Sequence, residues 1–290
     1  MHEALRQMLL RYRPQRLEDY TRALREILQE ISLLGLWRSK FFEKAAFYGG
    51  SSLRILYGLD RFSEDLDFSA LTPMPDFDWA RYVTALEKEL LAFGLELHIE
   101  TKDKALDSPI RSAFLKANTL RQLMVIQADR DILDRVPSTQ LIRIRLEIDT
   151  DPPPGFGTEV KYLLRPIPFP VRTYVLSDLF AGKMHALLCR RWKNRVKGRD
   201  WYDLVWFVTH HPQLHLSHLE HRMRQTGHLQ GDTPLSEHIF RTRLHEAIHK
   251  LDVDQARTEV EPFIHNPEVL QVWSRDFFLD IVSRIVIINE

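Results

Sequence analysis

Leu17, Leu24, Ile27, Leu28, Ile31 and Leu34 recur at helical spacing through residues 16–36. One apolar stripe of this kind predicts an amphipathic helix. A short aromatic stretch, Phe41 to Tyr48, leads into Gly49-Gly50, and Ser51 to Tyr57 reads as a helix starting at that turn. Leu66 to Ser69 reads as a strand and Trp79 to Phe93 as an amphipathic helix, with further strands near Leu95–Thr101 and Leu123–Ala128. The clearest strand is LIRIRLEID, Leu141 to Asp149. There Ile142, Ile144, Leu146 and Ile148 alternate with Arg143, Arg145, Glu147 and Asp149, the period-two signature of a strand with one wet face. Asp151-Pro152-Pro153-Pro154-Gly155 ends it, because proline cannot donate to a ladder. Another strand near Glu159–Leu164 gives way to the proline-rich PIPFP at 166–170.

Beyond this point helical patterns dominate. Ser177 is placed to cap a helix running through Cys189, and others follow at about 200–209, 216–225, 236–250 and 268–288. Strands mixed with helices, then helices alone, predict an α+β architecture. The expected division is a mixed-sheet part at 1–172, with an N-terminal helix, and a helical part at 173–290.

Composition narrows the picture without deciding it. The 290 residues are 44% hydrophobic and 28% charged, as in globular proteins. Forty basic residues balance forty acidic ones, so any nucleic-acid partner must be argued from local clusters. The one cysteine, Cys189, excludes an internal disulfide framework and a cysteine-based zinc site, and reads as a small packing residue. The charged N-terminus and the lack of an apolar run near the ~20 residues of a membrane span predict a cytoplasmic protein with no membrane partner.

The chemistry concentrates in FYGGSSLRILYGLDRFSEDLDF, Phe47 to Phe68. In an extended chain Asp65 and Asp67 project side by side, with Leu66 and Phe68 behind them. Adjacent carboxylates repel unless a cation shares them, and magnesium, a hard ion held by carboxylates and substrate phosphates, suits the pair. Glu147 or Asp149, on the wet face of LIRIRLEID, would complete a clamp for phosphoryl chemistry. Gly49 and Gly50 let a backbone approach a phosphate, and a helix starting there presents N–H groups and positive dipole to an anion. Ser51 or Ser52 adds a hydroxyl, and Arg54 and Arg61 add nearby charge. The absence of GxxxxGK[ST] leaves a P-loop ATPase unsupported.

These residues resemble the opening motifs of the AbiEii-type nucleotidyltransferase toxins, a branch of the DNA-polymerase-β-like nucleotidyltransferase superfamily. The family pattern is roughly GG(S/T)xLR, a spacer, then RxSxDLDF. Here it reads Gly49-Gly50-Ser51-Ser52-Leu53-Arg54 and Arg61-Phe62-Ser63-Glu64-Asp65-Leu66-Asp67-Phe68. A second signature, a helical lysine followed by (R)DxxDL, matches Lys183 and Arg199-Asp200-Trp201-Tyr202-Asp203-Leu204. The resemblance implies a nucleotidyltransferase-like mixed sheet and transfer of a nucleoside monophosphate from an NTP, with pyrophosphate released. It places Gly50 and Ser51 at the phosphates and Asp65 and Asp67 on magnesium. Lys183 would act at the triphosphate and Asp200 or Asp203 would be the late acid. It further implies the toxin of a toxin–antitoxin pair, with a cognate antitoxin encoded nearby and tRNA as a plausible acceptor. Of the two candidates for a third metal carboxylate, Glu147 is preferred because it lies deeper in its strand.

RRWKNRVKGR at 190–199 has six basic residues around Trp192. Positive charge beside an aromatic suits an RNA backbone and a stacked base, so Arg190, Arg191, Lys193 and Arg195 are candidate RNA contacts. Five histidines fall between His210 and His221, and His211, His215 and His218 share a helical spacing. Without acidic or cysteine ligands among them, they read as a surface or interface cluster.

Overall fold

The computed structural model describes residues 3–95, 97–102, 109–117, 141–190 and 196–289. The strand expected at Leu123–Ala128 lies outside them. The chain forms two compact units. The first comprises Met1–Tyr57, Ser63–Pro152 and Val160–Thr173, and the second comprises Gly58–Phe62, Pro153–Glu159 and Tyr174–Glu290.

The first unit is a mixed sheet with helices. Its elements are α1 (Glu3–Tyr12), α2 (Leu17–Arg38), β1 (Ala45–Tyr48), α3 (Gly49–Tyr57), β2 (Leu66–Ala70), α4 (Ala80–Ala92), β3 (Leu97–Lys102), β4 (Ile110–Ala117), β5 (Ile142–Asp149), β6 (Thr158–Leu163) and β7 (Phe169–Tyr174). The seven-stranded sheet has the order β3-β4-β5-β2-β1-β7-β6. At its centre β2 runs antiparallel to β1 and parallel to β5.

The helical stripe of α2 does what its spacing predicts: Leu24, Ile27, Leu28, Ile31 and Leu34 are all buried. At its start the backbone N–H of Arg16 donates to the Asp19 carboxylate at 3.0 Å, satisfying a helix-end donor. Behind the strands, Phe41 meets Phe68 edge-on at 4.9 Å, stacks on Trp79 at 5.6 Å and meets Tyr82 at 5.1 Å. Fully burying an aliphatic or phenyl side chain contributes about 1.5–3 kcal/mol. The cluster of Phe41, Phe47, Leu66, Phe68, Leu146 and Ile148 therefore fixes β2 and β5 with their polar alternates facing away.

The second unit contains α5 (Leu176–Cys189), α6 (Gly198–His210), α7 (Leu216–Gln225), α8 (Glu237–His249), α9 (Val253–Val260) and α10 (Arg275–Ser283). A small parallel pair joins β8 (Gln213–His215) to β9 (Val286–Ile288). Phe180 of α5 stacks on Phe207 of α6 at 4.5 Å, and Trp201 of α6 meets Phe278 of α10 at 5.0 Å. Gly198 lets α6 and α9 touch: a Cβ there would lie 1.9 Å from the Ala256 carbonyl oxygen. The single helix expected at 268–288 is instead a 3-10 turn at Pro267–Leu270, then α10 capped by Ser274, then β9. The Ser274 hydroxyl accepts from the Phe277 N–H at 3.0 Å, so a cap restarts the helix after the turn. The α5 helix begins at Leu176, one residue before its expected Ser177 cap, after extended Val175.

Candidate active site

The acidic face of the first unit follows from strand register. Asp67 pairs with Tyr48 across β1 and with Glu147 across β5. Leu66 and Phe68 are buried while Asp65, Asp67, Arg145, Glu147 and Asp149 are half-buried, so all five share the polar side of β2 and β5. Glu147 stands beside Asp67, whereas Asp149 stands beside Ser69, and its carboxylate accepts from the Asp151 N–H at 3.1 Å.

The same register explains the glycine turn. The chain leaves β1 at Tyr48, opposite Asp67, and turns directly into α3 at Gly49. Gly49 has φ +83°, and a Cβ at this position would lie 2.8 Å from Asp67 Oδ2. Glycine is required here on two grounds, its left-handed conformation and the approach of the carboxylate. The first turn of α3, with its helix-end N–H groups, therefore abuts the acidic face.

Ser51 and Ser52 are buried and their hydroxyls serve the backbone. The Ser51 hydroxyl donates to the Asp65 carbonyl oxygen, tying α3 to the start of β2, and Ser52 donates to the Gly49 carbonyl at 2.9 Å. Arg54 pairs with Glu26 of α2 at 2.9 Å.

Arg145 was not among the candidate residues. Its Nη2 donates to Asp65 Oδ2 at 2.7 Å and its Nη1 lies 3.2 Å from Glu147 Oε1. Glu147 Oε1 also accepts from the Ser112 hydroxyl at 3.1 Å. Two carboxylates thus converge on one cationic group. Its position two residues before Glu147, on the same face of the strand, was the available sequence signal.

Lys183, Asp200 and Asp203 belong to the second unit and form a charged cluster with Arg61. Arg61 grips Asp203 through Nε and Nη2 at 2.5 and 2.6 Å, and Lys183 Nζ lies 2.7 Å from Asp203 Oδ2. Asp203 is fully buried. Burial alone would raise its pKa, but Arg61 and Lys183 more than offset that and hold it below the usual carboxylate range. Asp200, in the first turn of α6, is also buried and acts electrostatically on Arg61. Next to Asp203, Tyr202 donates its hydroxyl to Asp60 at 2.7 Å.

Arg190 is exposed at the end of α5, while Arg191, Lys193 and Arg195 lie outside the described residues. The histidine run separates in the structure. His215 binds the buried Asp178 carboxylate, and His218 is fully buried beside Phe156 and Tyr174, which corrects the expectation of a surface cluster. No helix among the described residues is long and apolar enough to cross a membrane.

Residues 31–280 match the family described as "Nucleotidyl transferase AbiEii toxin, Type IV TA system". No curated protein sequence matches the chain. The crystal structure of JHP933 from Helicobacter pylori superposes with a TM-score of 0.50 at 18% identity, covering 90% of this chain and 88% of that one, which is a likeness of fold. A presumed nucleotidyltransferase from H. pylori, 17% identical, gives a TM-score of 0.48 over 91% of this chain and 92% of its own. With the family pattern spanning both units, the chain belongs to the AbiEii family of nucleotidyl transferase toxins of type IV toxin–antitoxin systems.

Proposed function

We propose that this protein is a magnesium-dependent toxin that transfers a nucleoside monophosphate from an NTP to an RNA acceptor, tRNA being the leading candidate. The observation that carries the reading is the first turn of α3 set against Asp67 on a face that also bears Asp65 and Glu147. A helix N-terminus attracts phosphate, and neighbouring carboxylates repel it. A divalent cation between phosphate and carboxylates reconciles the two.

The residues fit such an ion. Asp65, Asp67 and Glu147 offer hard oxygen donors, and Arg145 already bridges two of them as a stand-in cation. Bound magnesium would neutralise triphosphate charge and support in-line displacement. In the reaction an acceptor hydroxyl oxygen attacks the α-phosphorus, the bond to the bridging oxygen of the β-phosphate breaks, and pyrophosphate leaves. The hydroxyl proton passes to a basic oxygen of the acidic face. The backbone of Gly49 and Gly50 would hold phosphate oxygens, while Ser51 would keep Asp65 in position through its main chain. By its likeness to the family motif Lys183 would act at the triphosphate, with Asp203 holding its ammonium group in place. The RNA acceptor rests on the basic stretch at 190–199, and a type IV system supplies the antitoxin partner. Such a toxin would act in the cytoplasm.

The test is transfer of label from each of the four NTPs, with magnesium, into RNA, protein and metabolite fractions of one extract. Label in RNA from one preferred nucleotide supports the reading. Label confined to protein or small molecules overturns the acceptor, and no label in any fraction overturns the enzyme.

Arg145 gives a second prediction. Replacing it with Met removes the cation from Asp65 and Glu147. Because this pair is substantially exposed, the metal-free protein should lose no more than about 1 kcal/mol. Magnesium should then raise the melting temperature of Arg145→Met more than that of wild type, through linkage. An equal or smaller magnesium-induced rise would show that these carboxylates are not the ion's ligands.

A further inference from the structure

The second unit contains a ligand set outside the acidic face. We propose that His185, Cys189 and His228 bind a borderline-soft divalent transition ion, with zinc the best match. One ring nitrogen of each histidine and the Cys189 sulfur lie within 4.8 Å of one another, the one such group of three among the described residues.

The helix and its neighbour create this grouping. His185 and Cys189 are four residues apart on α5, so they share one helical face. His228 follows the turn that ends α7. Its N–H donates to the Met223 carbonyl at 2.8 Å, and its own carbonyl accepts from Arg243 at 3.1 Å, so its backbone is held on both sides. The Thr226 hydroxyl lies 2.8 Å from His185 Nε2 and 2.9 Å from His228 Nδ1. A hydroxyl that fixes two imidazoles at once is the outer support that metal-binding histidines ordinarily have.

The chemistry favours zinc over magnesium. Two imidazoles and a thiol form a softer set than carboxylates, and three protein ligands leave a fourth tetrahedral position open. His228 is exposed while His185 and Cys189 are buried, so the open side faces solvent. His185 would coordinate the ion as its neutral imidazole. Cys189 would ligate as its thiolate. Metal uptake must therefore release the Cys189 proton to solvent. The thiolate so formed is the counter-charge that lets an ion settle among these arginines. A lone cysteine had argued against a cysteine-based zinc site; two histidines complete a different ligand set.

Cobalt(II) is the probe. Untagged full-length protein, stripped with chelator and then freed of it, should take up equimolar cobalt with a thiolate-to-metal charge-transfer band, and zinc should displace it. Cys189→Ser should lose the band. His228→Gln alters an exposed residue and should keep the fold by circular dichroism while weakening cobalt binding by more than about tenfold. Absence of uptake, uptake without the band, a band that survives Cys189→Ser, or wild-type cobalt affinity in His228→Gln overturns the site.

Discussion

Asp67→Asn should lower nucleotide transfer by at least about 10²–10³-fold, the range seen when one electrostatic contributor to a transition state is removed. Asparagine keeps the shape of the side chain and removes its charge. Asp67 lies where three structural constraints meet: the register with Tyr48, the register with Glu147, and the approach of Gly49. The loss should appear in transfer and not in folding. Asp67 is half-buried on a face with Asp65 and Glu147, so deleting one of several like charges should change stability by no more than about 1 kcal/mol. Transfer rates and thermal melts of the same preparation separate the two effects. Transfer near the wild-type rate would remove Asp67 from the reaction. Asp65→Asn should behave similarly in transfer, though it also breaks the pair with Arg145.

Asp203→Ala should instead destabilise the fold, by about 3–5 kcal/mol. Removing one partner from a buried charge network strands the others. Arg61 is almost entirely buried and Lys183 nearly so, and both are directed at the same carboxylate. The sign of the pH dependence follows from the depressed pKa of Asp203. Its stabilisation is complete above the unfolded carboxylate pKa of about 3.9 and is lost as pH falls through the lower folded value. The gap between wild type and Asp203→Ala in urea midpoint should therefore persist at neutral pH and narrow only in acid. A midpoint shift worth less than about 1 kcal/mol would show that the cluster contributes little. Lys183→Met separates role from scaffold: with Arg61 still on Asp203, stability should fall less than in Asp203→Ala, while the role proposed for Lys183 requires transfer to fall strongly.

The acidic face was legible because strands alternate. LIRIRLEID and the run from Asp65 to Phe68 each sort their residues onto two faces without tertiary information, and the glycine turn announces itself by composition. What the sequence left open was the pairing between strands, which sets Glu147 rather than Asp149 beside Asp67. The sequence also could not show where polar groups spend their hydrogen bonds. Ser51 and Arg54 carry the right chemistry for phosphate, yet one is bonded to the Asp65 carbonyl and the other to Glu26. Arg61 and Asp203 are 142 residues apart, and no local pattern reports a contact of that span. The β7 strand was hidden by Pro170 within it, and the second unit's recruitment of Gly58–Phe62 and Pro153–Glu159 has no compositional signal. His185 and Cys189 were visible at helical spacing, but their convergence with His228 depends on where the chain leaves α7.

The most direct measurement follows the two ends of the triphosphate separately. Wild-type protein, magnesium and extract RNA are incubated with the preferred NTP carrying label on either the α- or the γ-phosphate. Nucleotidyl transfer requires the α-label on the acceptor and the γ-label in released pyrophosphate, with both signals lost in Asp67→Asn. A γ-label on the acceptor, or an α-label that persists in Asp67→Asn, would contradict the assignment of nucleotidyl transfer to this acidic face.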